Sequence, residues 1–109
     1  MPHIRLRGML SEQVQRLSQT LPAGLAPLAE TTVDNFTVEL VQTQFFVNGH
    51  SNAGYPFCEV FWFERSDEHR KRCAEWLTKE IKDITNASDV AVVFFPITKS
   101  NYFENGAHF

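Results

Sequence analysis

The sequence predicts an α/β fold in which one β-α-β unit occurs twice within a single domain, residues 1–109. Three features recur in the same order about 55 residues apart. Each half opens with an extended run after a proline, continues into a helix that starts at a serine, and ends with two aromatic residues before Asn-Gly. The pseudo-repeats cover about residues 2–54 and 55–109. They predict a four-stranded mixed sheet with both helices on one face.

Four extended runs rich in apolar residues, at 2–7, 36–46, 56–63 and 90–97, are the predicted strands. A sheet covered by helices on one face alone normally alternates to polar residues on the other. Here the alternation fails, because Phe57, Phe61 and Phe63 oppose residues that are also apolar, and residues 90–95 are apolar throughout. Since a large apolar face is not left exposed on a monomer, we expect a closed homo-oligomer with its sheet faces turned inward.

The two predicted helices differ in regularity. The second starts after a Ser66 cap with Asp67 and Glu68 in its first turn, the arrangement that the helix dipole favours. Its apolar stripe consists of Cys73, Trp76, Leu77, Ile81 and Ile84. The first starts at a Ser11 cap, with apolar residues at 14, 17, 21, 25 and 28, and Pro22 and Gly24 predict that it is kinked or split.

Composition excludes several classes of function. The 109 residues have a net charge of −3 and a pI near 5.7, unlike most nucleic-acid-binding proteins. No apolar run reaches the length of a membrane span, and there is no secretory signal. Cys58 and Cys73 predict buried apolar side chains, and the four histidines lack metal-ligand spacing. We therefore expect a cytoplasmic protein with no metal, no cofactor, and no nucleic-acid or membrane partner.

Three short motifs point to a known superfamily. The chain begins Met1-Pro2-His3, has Glu-Arg-Ser-Asp-Glu-His-Arg-Lys at 64–71, and ends Tyr-Phe-Glu-Asn-Gly-Ala-His-Phe at 102–109. With the duplicated pattern, these resemble the tautomerase superfamily, which includes 4-oxalocrotonate tautomerase and macrophage migration inhibitory factor. The central motif is similar to the Gly-Arg-Ser-x-Glu-Gln-Lys segment of the 4-oxalocrotonate tautomerases. The two ends are more similar to a small group of members without an assigned activity.

The resemblance implies a homotrimer with active sites between subunits and a small organic acid as substrate. It also implies that Pro2, after removal of Met1, is the general base in the isomerisation of enol or keto carboxylates. An α-amino group has a pKa near 7.7–8.0, and an apolar pocket or a nearby cation lowers it towards working pH. Within a peptide bond the same nitrogen has no basic lone pair.

Candidate substrate-binding residues also follow from the resemblance. Arg65 matches the arginine that binds a substrate carboxylate through its planar guanidinium, and the alternative is a solvated arginine at a helix start. The first half has Met9-Leu10 at that place, so each subunit has at most one such anchor. Tyr102 could polarise a carbonyl and Phe46 could line the pocket. Packing between subunits is the alternative for both aromatic residues.

Charged residues lie within the predicted strands. Arg5 lies in the first strand, and Glu39 and Glu59 interrupt apolar runs in the second and third. In the sheet order of the superfamily, Arg5 can meet both carboxylates. A structural ion cluster at the oligomer axis is one interpretation. The other makes a carboxylate a second acid/base or a water-positioning group, although a carboxylate beside Pro2 would raise the pKa of the amine.

Two alternatives to an enzyme remain open from the sequence. One is a non-catalytic oligomeric protein of the same fold, favoured by the missing arginine of the first half and by apolar Val92 and Phe94 in the last strand. The other is a ferredoxin-like dimeric α/β barrel, which shares the double β-α-β layout and needs no free proline.

Overall fold

The computed structural model describes residues 1–108 and contains two long helices and eight strands. In chain order these are β1 (His3–Arg7), α1 (Ser11–Leu25), β2 (Thr37–Leu40), β3 (Phe45–Val47), β4 (His50–Asn52), β5 (Phe57–Phe63), α2 (Asp67–Thr85), β6 (Ala91–Ile97), β7 (Phe103–Glu104) and β8 (Ala107–His108). Short 3₁₀ turns precede β2 and β7, at Val33–Asn35 and Lys99–Asn101. The order confirms the predicted α/β class.

The main sheet has the strand order β2-β1-β5-β6. β1 is parallel to β2, β5 is parallel to β6, and the two units join through an antiparallel β1–β5 pair. Each unit starts its parallel pair in the same way. The Thr37 N–H donates to the Pro2 carbonyl and the Ala91 N–H donates to the Pro56 carbonyl, both at 3.1 Å. The two halves therefore fold alike around two corresponding prolines.

Both helices pack on one face of the sheet and form the core with it. Alternate residues of β1 and β5 point to the helices and are at most 1% exposed: Ile4, Leu6, Cys58, Val60 and Trp62. The Phe94 ring stacks on Trp62 with ring centroids 4.7 Å apart. Val92 and Phe94 pack against this core. Their apolar character therefore gives no argument about a site on the opposite face.

The second helix agrees with the sequence and the first departs from it twice. In α2 the Ser66 Oγ accepts the His69 N–H at 3.3 Å, as predicted for a cap. In α1 the cap residue is Leu10, whose N–H donates to Gln13 Oε1 at 2.8 Å, so the Ser11 cap was wrong. Nor is α1 split at Pro22. The proline lies within the last turns, where its missing N–H removes a single helical hydrogen bond.

The predicted strand at 36–46 was wrong beyond residue 40. β1 has only five residues, so its parallel partner β2 ends at Leu40, and the next N–H, of Val41, donates to Leu6 at 2.7 Å. Residues 45–52 instead form the hairpin β3–β4, closed by Asn48 and Gly49 with φ of 50° and 79°. Asn105 and Gly106 close the β7–β8 hairpin in the same way. The two aromatic Asn-Gly motifs thus form hairpins.

The sheet face opposite the helices, here called the open face, is charged on β1 and β2 and, apart from Glu59, apolar on β5 and β6. Its apolar part includes Phe61 and Phe95, whose rings stack at 4.7 Å, and Phe95 remains 38% exposed. Tyr102 and Lys99 cover Phe63 only in part, so the structure retains much of the apolar face noted in the sequence. No helix within residues 1–108 combines the length and apolarity needed to cross a membrane.

Gly8 and Gly49 offer a matched test of the close approach between β1 and the segment before β5. Both have positive φ, but a Cβ on Gly8 would lie 2.2 Å from the Tyr55 carbonyl oxygen, whereas Gly49 has no atom within 4 Å. We expect Gly49→Ala to lower the free energy of unfolding by about 1–2 kcal/mol. Gly8→Ala should lower it by about 3 kcal/mol or more, because main chain must also move. Urea unfolding measures both, and equal losses would contradict the contact.

Candidate active site

The amino terminus lies beside a cavity of about 670 Å³ at one end of the open face. This amino-terminal cavity is lined by residues of β1, β5 and β6, of the segment before β2, and of the segment from β6 to β7. They include Met1, His3, Phe61, Phe63, Arg65, Lys99, Tyr102 and Glu104. The cavity therefore joins the start of the chain to the last quarter of it.

Pro2 does not itself line this cavity, but its two chain neighbours, Met1 and His3, do. The Pro2 side chain is less than 2% exposed, and its carbonyl is held by the Thr37 N–H at 3.1 Å. Its nitrogen is bonded to Met1, which lines the cavity. The structure thus fixes the proline by burial and by the β1–β2 ladder, and the residue attached to its nitrogen is the one at the cavity.

The surroundings of the amino terminus disfavour a protonated amine. Burial lowers the pKa of the Met1 α-amino group below its ordinary value of 8.0, and the positive charge of Arg65 lowers it further. The Glu104 carboxylate acts in the opposite direction. A cation and a carboxylate from distant parts of the chain therefore tune an amine at this position.

Arg65 is anchored by main-chain carbonyls. Its Nε donates to Ala29 at 2.9 Å and its Nη1 donates to Phe63 at 2.8 Å, while its Cζ lies 5.5 Å from the centre of the Trp62 ring. Within residues 1–108 the Nη2 group makes no hydrogen bond. The fork formed by Nε and Nη2 is therefore not open to a carboxylate, and an anion in the cavity would meet the Nη2 end.

Two aromatic candidates occupy different places. Tyr102 lines the amino-terminal cavity, and its ring meets Phe63 edge-on with centroids 5.3 Å apart. Phe46 lies on β3, is 61% exposed, and is not part of the cavity lining. The structure thus brings Pro2, Arg65 and Tyr102 to one end of the sheet and leaves Phe46 apart from them.

The charged cluster lies on the open face next to the cavity. In the ladders Arg5 stands opposite both Glu39 and Glu59. Its ion pair is with Glu39, with Nε and Oε1 2.7 Å apart, whereas Glu59 is paired by Arg7 at 2.6 Å. Arg5 therefore stands next to both carboxylates, and its ion pair is with Glu39. Neither carboxylate lines the amino-terminal cavity.

Four ionisable side chains of the cavity were not identified as site residues from the sequence: His3, Asp34, Lys99 and Glu104. Two of them stand beside noted residues, since His3 follows Pro2 and Glu104 follows the Tyr102-Phe103 pair. This proximity in the sequence is the signal from which His3 and Glu104 could have been identified. Asp34 and Lys99 lie in 3₁₀ turns, and no pattern in the sequence places a turn residue next to the amino terminus.

A second cavity, of about 640 Å³, lies at the other end of the duplicated sheet, next to Pro56. None of its lining residues is charged, and Leu10 occupies the place that corresponds to Arg65. The Pro56 nitrogen is an amide within the chain and cannot act as a base. Of these two cavities, the one at the Pro2 end therefore has both charged side chains and an amine in its lining.

Cysteine and metal chemistry have no evident place in this site. Burial raises the pKa of the Cys58 thiol to about 12, and burial raises that of Cys73 to about 11. Both thiols are protonated near neutral pH and are poor nucleophiles. In the part of the chain that the structure describes, no group of three His, Cys, Asp or Glu side chains could hold a metal ion.

Two joined β-α-β units with the sheet order β2-β1-β5-β6 and both helices on one face match the tautomerase fold. A structure of fused 4-OT, described as a wild-type asymmetric trimer, has a TM-score of 0.85 and 15% identity over 98% of this chain and 95% of that chain. This likeness shows the fold, and it decides against the ferredoxin-like barrel that the sequence left open.

Within that fold the chain belongs to the DUF1904 family, a domain of unknown function, whose model matches residues 1–108. The DUF1904 domain from Sebaldella termitidis ATCC 33386 is 41% identical over 100% of both chains, with a TM-score of 0.94. A protein of unknown function from Vibrio cholerae O1 biovar eltor str. N16961 is 36% identical over 99% of this chain and 87% of that chain, with a TM-score of 0.87. No curated protein sequence matches significantly.

Two substitutions test the electrostatics of the amino terminus. In the chain that retains Met1, Arg65→Met should raise the pKa of the α-amino group because it removes a cation, and Glu104→Gln should lower it because it removes an anion. Reductive methylation with ¹³C-formaldehyde labels the amine for titration by NMR. Arg16→Gln, on the exposed side of α1, is the matched control and should leave the titration unchanged. An unchanged pKa in both variants would show that neither side chain acts on the amine.

Proposed function

We propose that this protein, once Met1 is removed, isomerises small enol or keto carboxylates with the Pro2 amine as general base. The observation that supports this most directly is that the buried Pro2 follows Met1, which lines the cavity of about 670 Å³. The fold shared with fused 4-OT is consistent with it, and so is the lowered pKa of the Met1 α-amino group, one residue before Pro2.

The reaction needs a neutral amine and a route for one proton. The Pro2 nitrogen would accept a proton from an enol hydroxyl or from the α-carbon of a keto acid, and return it to the other site of the same molecule. A base works best when its pKa lies near the working pH. Burial and Arg65 act in that direction, and Glu104 limits the effect.

The proposed substrate contacts come from the cavity wall. Arg65 would bind the carboxylate through Nη2, since its Nε and one Nη1 hydrogen are bonded to main-chain carbonyls. The Tyr102 hydroxyl would polarise the carbonyl, and Phe61 and Phe63 would supply apolar surface. Glu39 and Glu59 would serve as members of the ion cluster, because both are paired and neither lines the cavity.

A homotrimer is part of the proposal. The apolar side of the open face and the exposed aromatic residues of the hairpins, Phe46 and Phe103, need cover that the single chain does not provide. Phe46 would then reach a site in a neighbouring copy, which accounts for its distance from the cavity of its own chain.

The oligomer can be measured directly. Sedimentation equilibrium should give the mass of three chains, and Phe95→Glu should shift the population to monomer because it places a charge in the apolar face. Gln19→Glu, on the exposed side of α1, is the matched control and should remain trimeric. A monomeric parent chain would contradict this part of the proposal.

The base can be tested by comparing forms of the same chain. Met1-free protein, confirmed by intact mass, should turn over some member of a panel of phenylenolpyruvate-type and hydroxymuconate-type compounds. Pro2→Ala should lower kcat/KM by about 10²–10⁴ without changing the oligomer. Arg65→Met should chiefly raise KM. Protein that retains Met1 should be inactive, and equal activity in that form would exclude the Pro2 amine as the base.

A non-catalytic oligomeric protein is the second candidate. The bonds of Arg65 to two main-chain carbonyls favour it, since they give that side chain a structural role without any ligand. Met1-free protein that assembles fully but turns over none of the panel would support this candidate. Intact mass of protein made at native level is the first measurement, because retained Met1 would leave no free Pro2 amine.

A further inference from the structure

We infer that the Met1–Pro2 bond is accessible to a methionine aminopeptidase only before β1 enters the sheet, so that the folded chain preserves whichever amino terminus it folded with. The inference concerns a processing site. It rests on the proposed function only for its consequence, namely that a chain folded with Met1 in place is permanently without the Pro2 amine.

The bond lies where no peptidase can approach it from both sides. An aminopeptidase must take the first residues of its substrate, on each side of the bond to be cut, into its own cleft. Pro2 is less than 2% exposed, and its carbonyl accepts the Thr37 N–H at 3.1 Å. Met1 itself is only partly exposed, and burial lowers the pKa of its α-amino group. The residues that an aminopeptidase would have to bind, Met1 and Pro2, are thus held within the fold of the chain.

Presenting Pro2 together with the residues that follow it to a peptidase cleft requires β1 to leave the sheet. The next residues form β1, which is hydrogen-bonded to β2 on one side and to β5 on the other. Ile4 and Leu6 of this strand are 0% exposed and lie in the core with both helices. Freeing Pro2 together with these residues therefore costs more free energy than fraying at an ordinary chain end.

The order of synthesis leaves a period in which the bond is free. Both strands that pair with β1 are made after it, and β5 begins about 55 residues after Pro2. At about 5–20 residues per second, that delay is about 3–11 s. Processing competes with folding in this period, and folding ends it.

The test uses purified chain that retains Met1, a methionine aminopeptidase, and intact mass as the readout. A peptide of residues 1–10 is the unfolded reference for the same bond. We expect the folded chain to lose Met1 at least about a hundredfold more slowly than the peptide. A folded chain trimmed at more than about a tenth of the peptide rate would overturn the inference.

A core variant links the rate to unfolding. Leu17→Ala removes a side chain that is 0% exposed, and it should increase trimming at least about tenfold because the open state becomes more populated. Gln19→Ala, on the exposed side of the same helix, should not change the rate. An unchanged rate in Leu17→Ala would also overturn the inference, whereas a variant too unstable to fold should be trimmed like the peptide.

Failure of this inference and failure of the proposed function give different results. The mass measurement does not depend on turnover, so a Met1-free protein without activity leaves the protection intact. Rapid trimming of the folded chain removes the protection and leaves the role of the Pro2 amine to be decided by the kinetics.

Discussion

The antiparallel pairing of β1 with β5 is the constraint on which the other features depend. It joins two β-α-β units that each contain only one parallel pair, and neither unit could cover its own helix with two strands. The pairing puts Ile4, Leu6, Val60 and Trp62 in the middle of a shared core. Because the pair is antiparallel, the corresponding starts of the two units point to opposite ends of the sheet, and each end has a cavity.

The two ends of the sheet are alike because each is built by the start of one β-α-β unit, and they differ in the residues that each unit places there. Both ends begin with a proline whose carbonyl accepts a hydrogen bond of 3.1 Å from the opposing strand. One end then has Arg65, where the other has Leu10. One proline can also become a chain terminus, whereas the other cannot. Chemistry that needs an amine and a cation is thereby limited to one end of a nearly symmetrical sheet.

The open face combines ion pairs with aromatic surface for a related reason. Arg5–Glu39 and Arg7–Glu59 are paired at 2.7 and 2.6 Å, so the charges on β1 and its neighbours are compensated within the chain. If copies pack through this face, the charges need no partner from outside, and desolvation is less costly than for single ions. The apolar side chains of β5 and β6 have no such internal partner beyond their own stacking.

Local pattern in the sequence determined the two units, the Ser66 cap and stripe of α2, and the hairpins at the Asn-Gly motifs, since each depends on residues near in the chain. The length of β2 was decided by the short β1 beside it, and the Leu10 cap by the reach of Gln13. Only the tertiary structure placed Lys99 and Glu104 beside the amino terminus. It also decided that Glu59 forms its ion pair with Arg7 and that Arg65 donates hydrogen bonds to main-chain carbonyls. Those contacts join residues far apart in the chain, and spacing within a segment does not specify them.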